Sequence, residues 1–284
     1  MKLGFLGVGL MGKPMIERLV SLGYKVIAYN RTIEKLEPLK SLGVKITNSP
    51  AEVIKETNAT ILMLSDITAI KSLLFTQEAQ AFIKNKTIIQ MGTISPSQSQ
   101  ELMQTVTDLG GDYLESPVLG SIAEAKIGKL ILMVGSTQQQ FMLWQEILKA
   151  FTDKPLWIGE VGKAAALKLA LNQLISSLTA SFSLSLAYVQ ASRVSIDLFM
   201  EILRQSAIYA PTFDKKLNRF LEDNYSNPNF PVKHLEKDTH LFLEESSKLQ
   251  INNIVLQSVN RLLLKAIERG DGDLDYSAIF RSLK

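Results

Sequence analysis

The most constraining feature of this 284-residue chain lies at its start, where an apolar run, Lys2 to Gly7, passes directly into Gly7-Val8-Gly9-Leu10-Met11-Gly12 and on into a helical stretch, Met11 to Leu22. Glycines at that spacing, between a strand and a helix, have separate tasks. The first permits the tight turn, the second lets backbone approach a pyrophosphate, and the third lets the helix pack closely on the strand. The helix N-terminus then offers unpaired N–H groups to phosphate oxygens. A strand covered at once by its own helix belongs to a parallel sheet with helices on its faces, not to a half-exposed antiparallel hairpin.

The rest of the first half follows that pattern. Strands are predicted at Lys25 to Tyr29, Val44 to Ile46, Thr60 to Leu64, Thr87 to Gln90, Asp112 to Glu115, Leu130 to Val134 and Pro155 to Trp157, with helices at Ile33 to Ser41, Pro50 to Thr57 and from Ile67 to Leu74 between the earlier ones. After Gly159 the texture changes. Lys163 to Ala191 reads as one long helix, and the remainder shows helical periodicity without a convincing strand, broken by a Pro- and Asn-rich loop from Asn224 to Pro231. The expected fold is α/β: a Rossmann-type doubly wound sheet over residues 1–158, followed by an all-α domain over 159–284 and joined to it by the long helix.

Composition closes several routes. With no cysteine, and only His234 and His240, the chain cannot build a thiolate zinc site, a cysteine nucleophile or a three-histidine metal centre, so no metal is expected. The 31 basic and 28 acidic residues nearly balance and are scattered, which argues against nucleic acid and membrane surfaces as partners. Absence of cysteine fits a reducing compartment, and a cytoplasmic location is expected. The glycines after Lys2 weaken any reading of the start as a signal peptide. The uncharged stretch between Lys168 and Arg193 contains Asn172, Gln173, Thr179, Gln190 and several serines, too polar for a lone membrane span and suited to a buried helix.

Two places carry chemistry beyond the glycines. The second strand ends Tyr29-Asn30-Arg31-Thr32, with no carboxylate at the tip to bind a ribose 2′-hydroxyl and with a guanidinium and a hydroxyl suited to a 2′-phosphate, so NADP(H) is expected over NAD(H). Lys168 stands in the apolar helix with Asn172 four residues on, one helical turn away on the same face. A partly desolvated lysine can polarise a carbonyl and protonate the oxygen as it becomes an alkoxide, and the amide could hold either the ammonium or the substrate oxygen. Taken alone, the pair is a weak signal and reads more often as a helix face at a domain seam.

The order and spacing of Gly7 to Gly12, Asn30-Arg31-Thr32, Gly92-Thr93-Ile94-Ser95-Pro96, Glu115 to Ser121, Gly159-Glu160-Val161-Gly162 with Lys168 and Asn172, and Lys237-Asp238 resembles the β-hydroxyacid dehydrogenase family, related to 3-hydroxyisobutyrate dehydrogenase, and most closely its glyoxylate and succinic semialdehyde reductase branch. The resemblance runs from Met1 to about Phe280. It implies that Lys168 is catalytic with Asn172 as its helper. It also implies that Gly7, Gly9, Leu10, Met11, Gly12, Asn30, Arg31, Thr32, Met63, Leu64, Ser65, Thr93 and Lys237 face the cofactor. Gly120, Ser121, Phe230 and Asp238 would face the substrate, with His234 in the same late segment. A homodimer or homotetramer is implied as well. From the residues themselves, Gly120-Ser121 reads more readily as a plain strand-to-helix turn, Lys237-Asp238 at least as readily as a surface pair, Phe230 more readily as packing and His234 more readily as a structural histidine.

The chain departs from the family pattern at Leu119, where Ser is common, at Ala164, where a further Gly is usual, and at Ser195, which replaces a frequent Gly. The expected activity is NADPH-dependent reduction of small carboxylate-bearing aldehydes such as glyoxylate or succinic semialdehyde. The alternatives are NAD(P)-dependent oxidation of 3-hydroxyisobutyrate or another β-hydroxy acid, and a dinucleotide-binding protein without turnover. Retention of Lys168 argues against the last of these and against the imine reductases that share the fold.

Overall fold

The structure, a computed structural model, describes residues 1–283. It divides into two compact units, Met1–Lys168 and Leu169–Lys284.

In the first unit, strands β1 (Lys2–Leu6), β2 (Lys25–Tyr29), β3 (Lys45–Ile46), β4 (Ala59–Leu62), β5 (Thr87–Gln90) and β6 (Asp112–Glu115) form a parallel sheet in the order β3-β2-β1-β4-β5-β6. Helices α1 (Gly12–Ser21), α2 (Glu37–Lys40), α3 (Pro50–Glu56), α4 (Ile67–Leu74), α5 (Gln77–Gln80) and α6 (Pro96–Asp108) fill the connections. Beyond β6 the chain adds β7 (Val118–Leu119), α7 (Ile122–Ile127), β8 (Ile131–Gly135), α8 (Gln138–Leu148) and β9 (Leu156–Gly159), with β8 antiparallel to β6 and β7 and parallel to β9. Side chains alternate across the sheet as a period of two requires. Leu3 and Phe5 of β1 join Ile61, Ile89 and Leu114 in the core on one face, whereas Leu6 joins Leu62, Ile88 and Tyr113 on the other.

Strand register aligns the carboxyl ends. Tyr29 pairs with Leu6, Leu6 with Leu62, Leu62 with Gln90 and Gln90 with Glu115, so the last residues of five parallel strands form one row. The loops that leave this row begin at Gly7, Asn30, Met63, Met91 and Ser116. In an open α/β sheet, ligands bind outside the carboxyl ends of the strands.

Several predicted boundaries shift. The helix expected over Ile33 to Ser41 is a 3-10 turn, Ile33–Lys35, followed by the single turn of α2, because Pro38 in its first positions cannot donate into a continuous ladder. Strand β4 stops at Leu62. Met63 N–H still donates to Leu6 O (2.9 Å), after which the chain turns to Asp66, whose carboxylate caps α4 by accepting from Ala69 N–H (2.8 Å).

The second unit consists of helices. Helix α9 (Lys163–Ala191) begins in the first unit, and α10 (Ile196–Gln205), α11 (Pro211–Leu221), α12 (Val232–Lys248), α13 (Ile254–Glu268) and a 3-10 segment, Tyr276–Leu283, complete the chain. An isolated antiparallel bridge joins Pro231 to Asp275. Phe182 of α9 stacks on Phe213 (4.6 Å between centroids) and meets Phe220, at the centre of a core that includes Leu186, Leu235, Leu263 and Phe280. The expectation of a buried α9 needs correcting. Leu169, Phe182 and Leu186 are buried, but Leu174, Leu184 and Tyr188 are exposed. Among the described residues α9 is the one helix long and apolar enough to cross a membrane, with only 33% of its most apolar window buried. The helix is apolar on more than one face, which periodicity alone cannot distinguish from burial.

Candidate functional site

The glycine loop takes the shape its spacing requires. Gly7 has φ +103° and its N–H donates to Tyr29 O (3.0 Å); an added Cβ there would run into the Met63 carbonyl. A Cβ at Gly12 would strike the Gly7 backbone and approach Phe5 at 3.2 Å, so this glycine lets α1 lie against β1. At Gly9 a Cβ would meet no described atom within 4 Å, which leaves the open approach that a pyrophosphate needs. Met11 precedes α1 without a side-chain capping bond, beside the exposed Leu10; within the first turn Lys13 N–H donates to Gly9 O (3.2 Å) and Pro14 carries no N–H, which leaves the Gly12 end of the helix facing the loop.

Gly7, Gly9, Asn30, Arg31, Thr32, Met63, Leu64 and Ser65 line one groove of about 250 Å³. Leu10, Met11 and Gly12 form its helix end without lining it. Asn30 works on the protein itself: its Oδ1 accepts from Val8 N–H (2.9 Å) and its Nδ2 donates to Thr32 O (2.8 Å), so it ties the glycine loop to the turn after β2. Arg31 and Thr32 are exposed on the groove wall, and Lys35 joins them. Lys35 was not among the predicted ligands, although a basic residue four positions beyond Arg31 was a readable signal. Tyr29, Ala69, Ser72 and Leu73 also line the groove and had no distinctive signature. These residues fit a nicotinamide dinucleotide: a positive-φ turn, an open backbone approach, a helix start without a side-chain cap, and polar side chains at the tip of β2.

Thr93 stands in the loop from β5 to α6, outside the groove wall. Gln90 braces this loop from both sides, its Nε2 donating to Gly92 O (3.0 Å) and its Oε1 accepting from Gly92 N–H (3.2 Å). A Cβ at Gly92 would come within 2.5 Å of Leu64 O, so the loop runs directly against the Met63 to Ser65 turn.

Gly120 and Ser121 follow β7 and open α7, Gly120 with φ +137°. Ser121 N–H donates to the Glu124 carboxylate (2.7 Å) and the Ser121 hydroxyl donates to the same oxygen. This is the carboxylate half of a capping box. The two Ser121 donors expected to help hold a substrate carboxylate therefore already hold one of the chain's own, a contact the S-x-x-E spacing from Ser121 to Glu124 could have announced.

Lys168 is 8% exposed, near the start of α9, with Leu167 and Leu169 beside it. Asn172 is one turn further along the helix and buried. Its Nδ2 donates to Asp238 Oδ2 (2.6 Å), and Asp238 Oδ1 lies 2.8 Å from Lys237 Nζ. Asp238, expected against the substrate, thus braces Asn172, and Lys237, expected against the cofactor, pairs with Asp238. The carboxylate accepts only, which fixes the amide's orientation. Asn172 Oδ1 is buried with no hydrogen-bond partner among the described residues. The group left over is an acceptor. Phe230 meets Tyr276 edge-on (6.0 Å) as part of the helical core. His234 is half-buried; burial, with Lys237 next in effect, holds its imidazole below the usual value.

Known proteins match the chain over both of its units. Residues 2–159 match the family described as the NAD-binding domain of 6-phosphogluconate dehydrogenase. Residues 162–283 match the family described as NAD-binding of NADP-dependent 3-hydroxyisobutyrate dehydrogenase. Glyoxylate/succinic semialdehyde reductase 1 of Arabidopsis thaliana is 34% identical over 100% of this chain and 99% of its own. The chloroplastic reductase 2 of the same plant is 30% identical over 99% of this chain and 79% of its own. Among solved structures, 3-hydroxyisobutyrate dehydrogenase of Salmonella typhimurium superposes with a TM-score of 0.89 at 19% identity, covering 99% of both chains. With a dinucleotide groove in its sheet and relatives matched along its full length, the chain belongs to the β-hydroxyacid dehydrogenase family of NAD(P)-dependent oxidoreductases.

Proposed function

We propose that this protein reduces small carboxylate-bearing aldehydes, glyoxylate and succinic semialdehyde among them, to the corresponding hydroxy acids with NADPH. The observation that carries the reading is Lys168: a lysine 8% exposed in an apolar helix, one turn from a buried amide whose free atom is an acceptor. When bound, the nicotinamide supplies a hydride to the carbonyl carbon. Lys168 stabilises the negative charge that develops on the carbonyl oxygen and gives it a proton. Asn172, with its N–H committed to Asp238, offers Oδ1 to the ammonium and holds it in place; it does not bind the substrate oxyanion, which needs a donor. Arg31, Thr32 and Lys35 select the phosphorylated ribose, and the first turn of α1 with Gly9 receives the pyrophosphate. Gly120 and Ser121 anchor the substrate carboxylate, which exchanges with Glu124 to reach them.

Assembly and location belong to the same proposal. The exposed apolar face of α9, with Leu174, Leu184 and Tyr188, suits a second copy of the chain in a homodimer or homotetramer, and the cysteine-free composition suits the cytoplasm. The deciding experiment is Lys168→Ala: kcat with glyoxylate and NADPH falls by about two orders of magnitude or more while NADPH still binds. Near-normal turnover in that variant would refute the reading.

A further inference from the structure

Glu115 is the last residue of β6 and 1% exposed. Its Oε1 accepts backbone N–H groups from Gly162 (2.8 Å), Ala164 (2.9 Å) and Ala165 (3.0 Å), which lead into and begin α9. Its Oε2 accepts from the Ser99 hydroxyl, and Ser99 Oγ lies 2.8 Å from the Tyr113 hydroxyl. Since Ser99 spends its proton on Glu115, Tyr113 is the donor in that second bond. Burial pushes the Glu115 carboxyl up, while the Ser99 hydroxyl and the three N–H groups act the other way.

The surroundings are shaped around this carboxylate. Gly135 pairs with Glu115 across β6 and β8, and a Cβ there would occupy the place of the Glu115 carboxylate. Gly162 has φ +100°, a conformation that lets its N–H turn toward Glu115. A carboxylate with one oxygen directed wholly at a helix start fixes that start both along and around its axis. Ala164 and Ala165 precede Lys168 by four and three residues, on the same helix face and only about 5 Å away along the axis. The other end of the clamp is the row of strand ends. Glu115 pairs with Gln90, which braces the Thr93 loop, and Ser99 belongs to α6, which begins just after that loop.

We propose that Glu115 is a positioning residue for the reaction: it holds the first turn of α9 to the strand ends that carry the cofactor loops, and so sets where the Lys168 side chain emerges. The inference rests on the assignment of Lys168 as proton donor. Glu115 touches neither substrate nor cofactor and acts only through the helix.

The test compares Glu115→Gln, Glu115→Ala, Lys168→Ala and the double variant Glu115→Gln/Lys168→Ala in the full-length protein. It uses initial rates with glyoxylate and NADPH, and NADPH binding measured by fluorescence titration. Glu115→Gln is expected to lower kcat about tenfold, and Glu115→Ala further, with NADPH affinity within about twofold of the parent. In the Lys168→Ala background the Gln substitution is expected to change the residual rate by less than about twofold, because nothing remains to be positioned. A kcat near the parent's in Glu115→Gln beside an inactive Lys168→Ala overturns the proposal. So does a loss confined to NADPH affinity, or a multiplicative loss in the double variant. If Glu115→Ala does not fold, the Gln variant decides. Near-normal turnover in Lys168→Ala alone sinks the functional reading, and this inference with it, and is distinguished because that variant leaves Glu115 intact.

Discussion

Cofactor choice is the property that the groove specifies most directly, and Arg31→Ala is the perturbation that reads it. From Tyr29 to Lys35 the sequence contains one carboxylate, Glu34, which is exposed in the 3-10 turn and does not line the groove. Arg31, Thr32 and Lys35 do line it. A unit charge 4 Å from another gains about 1 kcal/mol in bulk water and about 4 kcal/mol at an effective dielectric of 20. Arg31 is exposed, so the wet limit is the better guide, with a charge-assisted hydrogen bond contributing about 1.5–3 kcal/mol. Losing it should cost NADPH about 2 kcal/mol relative to NADH, roughly 30-fold in the ratio of the two kcat/KM values, with Lys35 retaining part of the preference. Arg31→Glu adds repulsion against a dianionic phosphate and should narrow or invert the preference. Because the groove is open, the parent's preference should also shrink as salt shortens the Debye length from about 10 Å at 0.1 M. The assay is initial rates with glyoxylate against both reduced cofactors at two ionic strengths. A parent enzyme that favours NADH, or an unchanged ratio in Arg31→Glu, would show that the phosphate is read elsewhere or not at all.

Single contacts elsewhere in the molecule set further expectations. Glu124→Gln removes the resident carboxylate from Ser121 and should lower KM for glyoxylate several-fold with little change in kcat; a raised KM would mean that Glu124 serves the site as a cap and not as a competitor. Lys216, buried against Asp275 (2.7 and 2.8 Å) and over the Tyr276 ring (4.3 Å), leaves an unpaired buried carboxylate when changed to Met. The expected loss is about 3–5 kcal/mol in urea unfolding, and adding Asp275→Asn should recover much of it; equal stability of parent and single variant would count against the pair. His234 titrates below its ordinary value, so the unfolded chain takes up its proton first as pH falls. The stability this confers is complete above about pH 6.5 and is lost as pH falls through the depressed value. Unfolding free energy should therefore decline more steeply on acidification in the parent than in His234→Asn, with Lys233, Lys237, Asp238 and Asp273 common to both, and parallel curves would remove His234 as the cause.

What could be read in the sequence and what could not divides along the range of the interactions. The glycine loop was legible because its three constraints are local: a positive φ at Gly7, open space at Gly9 and a close approach at Gly12 each follow from absence of a Cβ within six residues of chain. The parallel strands were legible because burial on both faces leaves nearly continuous apolar runs, and their ends were less so, since β4 ends where Met63 turns and not where apolar residues stop. Asn30 was legible as a groove residue but not in its second task, in which the same amide joins Val8 to Thr32 through a pairing 22 residues apart. Asp238 shows the same effect across 66 residues, where its bond to Asn172 had no signal in the sequence.

Glu115 marks the limit of such reading. It stood in the segment that carried the family resemblance, yet nothing near it in sequence indicates that its partners are the N–H groups of residues 162, 164 and 165, or that Gly135 leaves room for it. Backbone donors have no sequence signature at all, because every residue but proline carries one. A buried carboxylate at the end of a strand therefore says only that donors must exist. Which helix supplies them is decided by strand register and by the length of chain between β6 and α9, and these two quantities together bring the start of the lysine-bearing helix to the row of strand ends from which the cofactor loops depart.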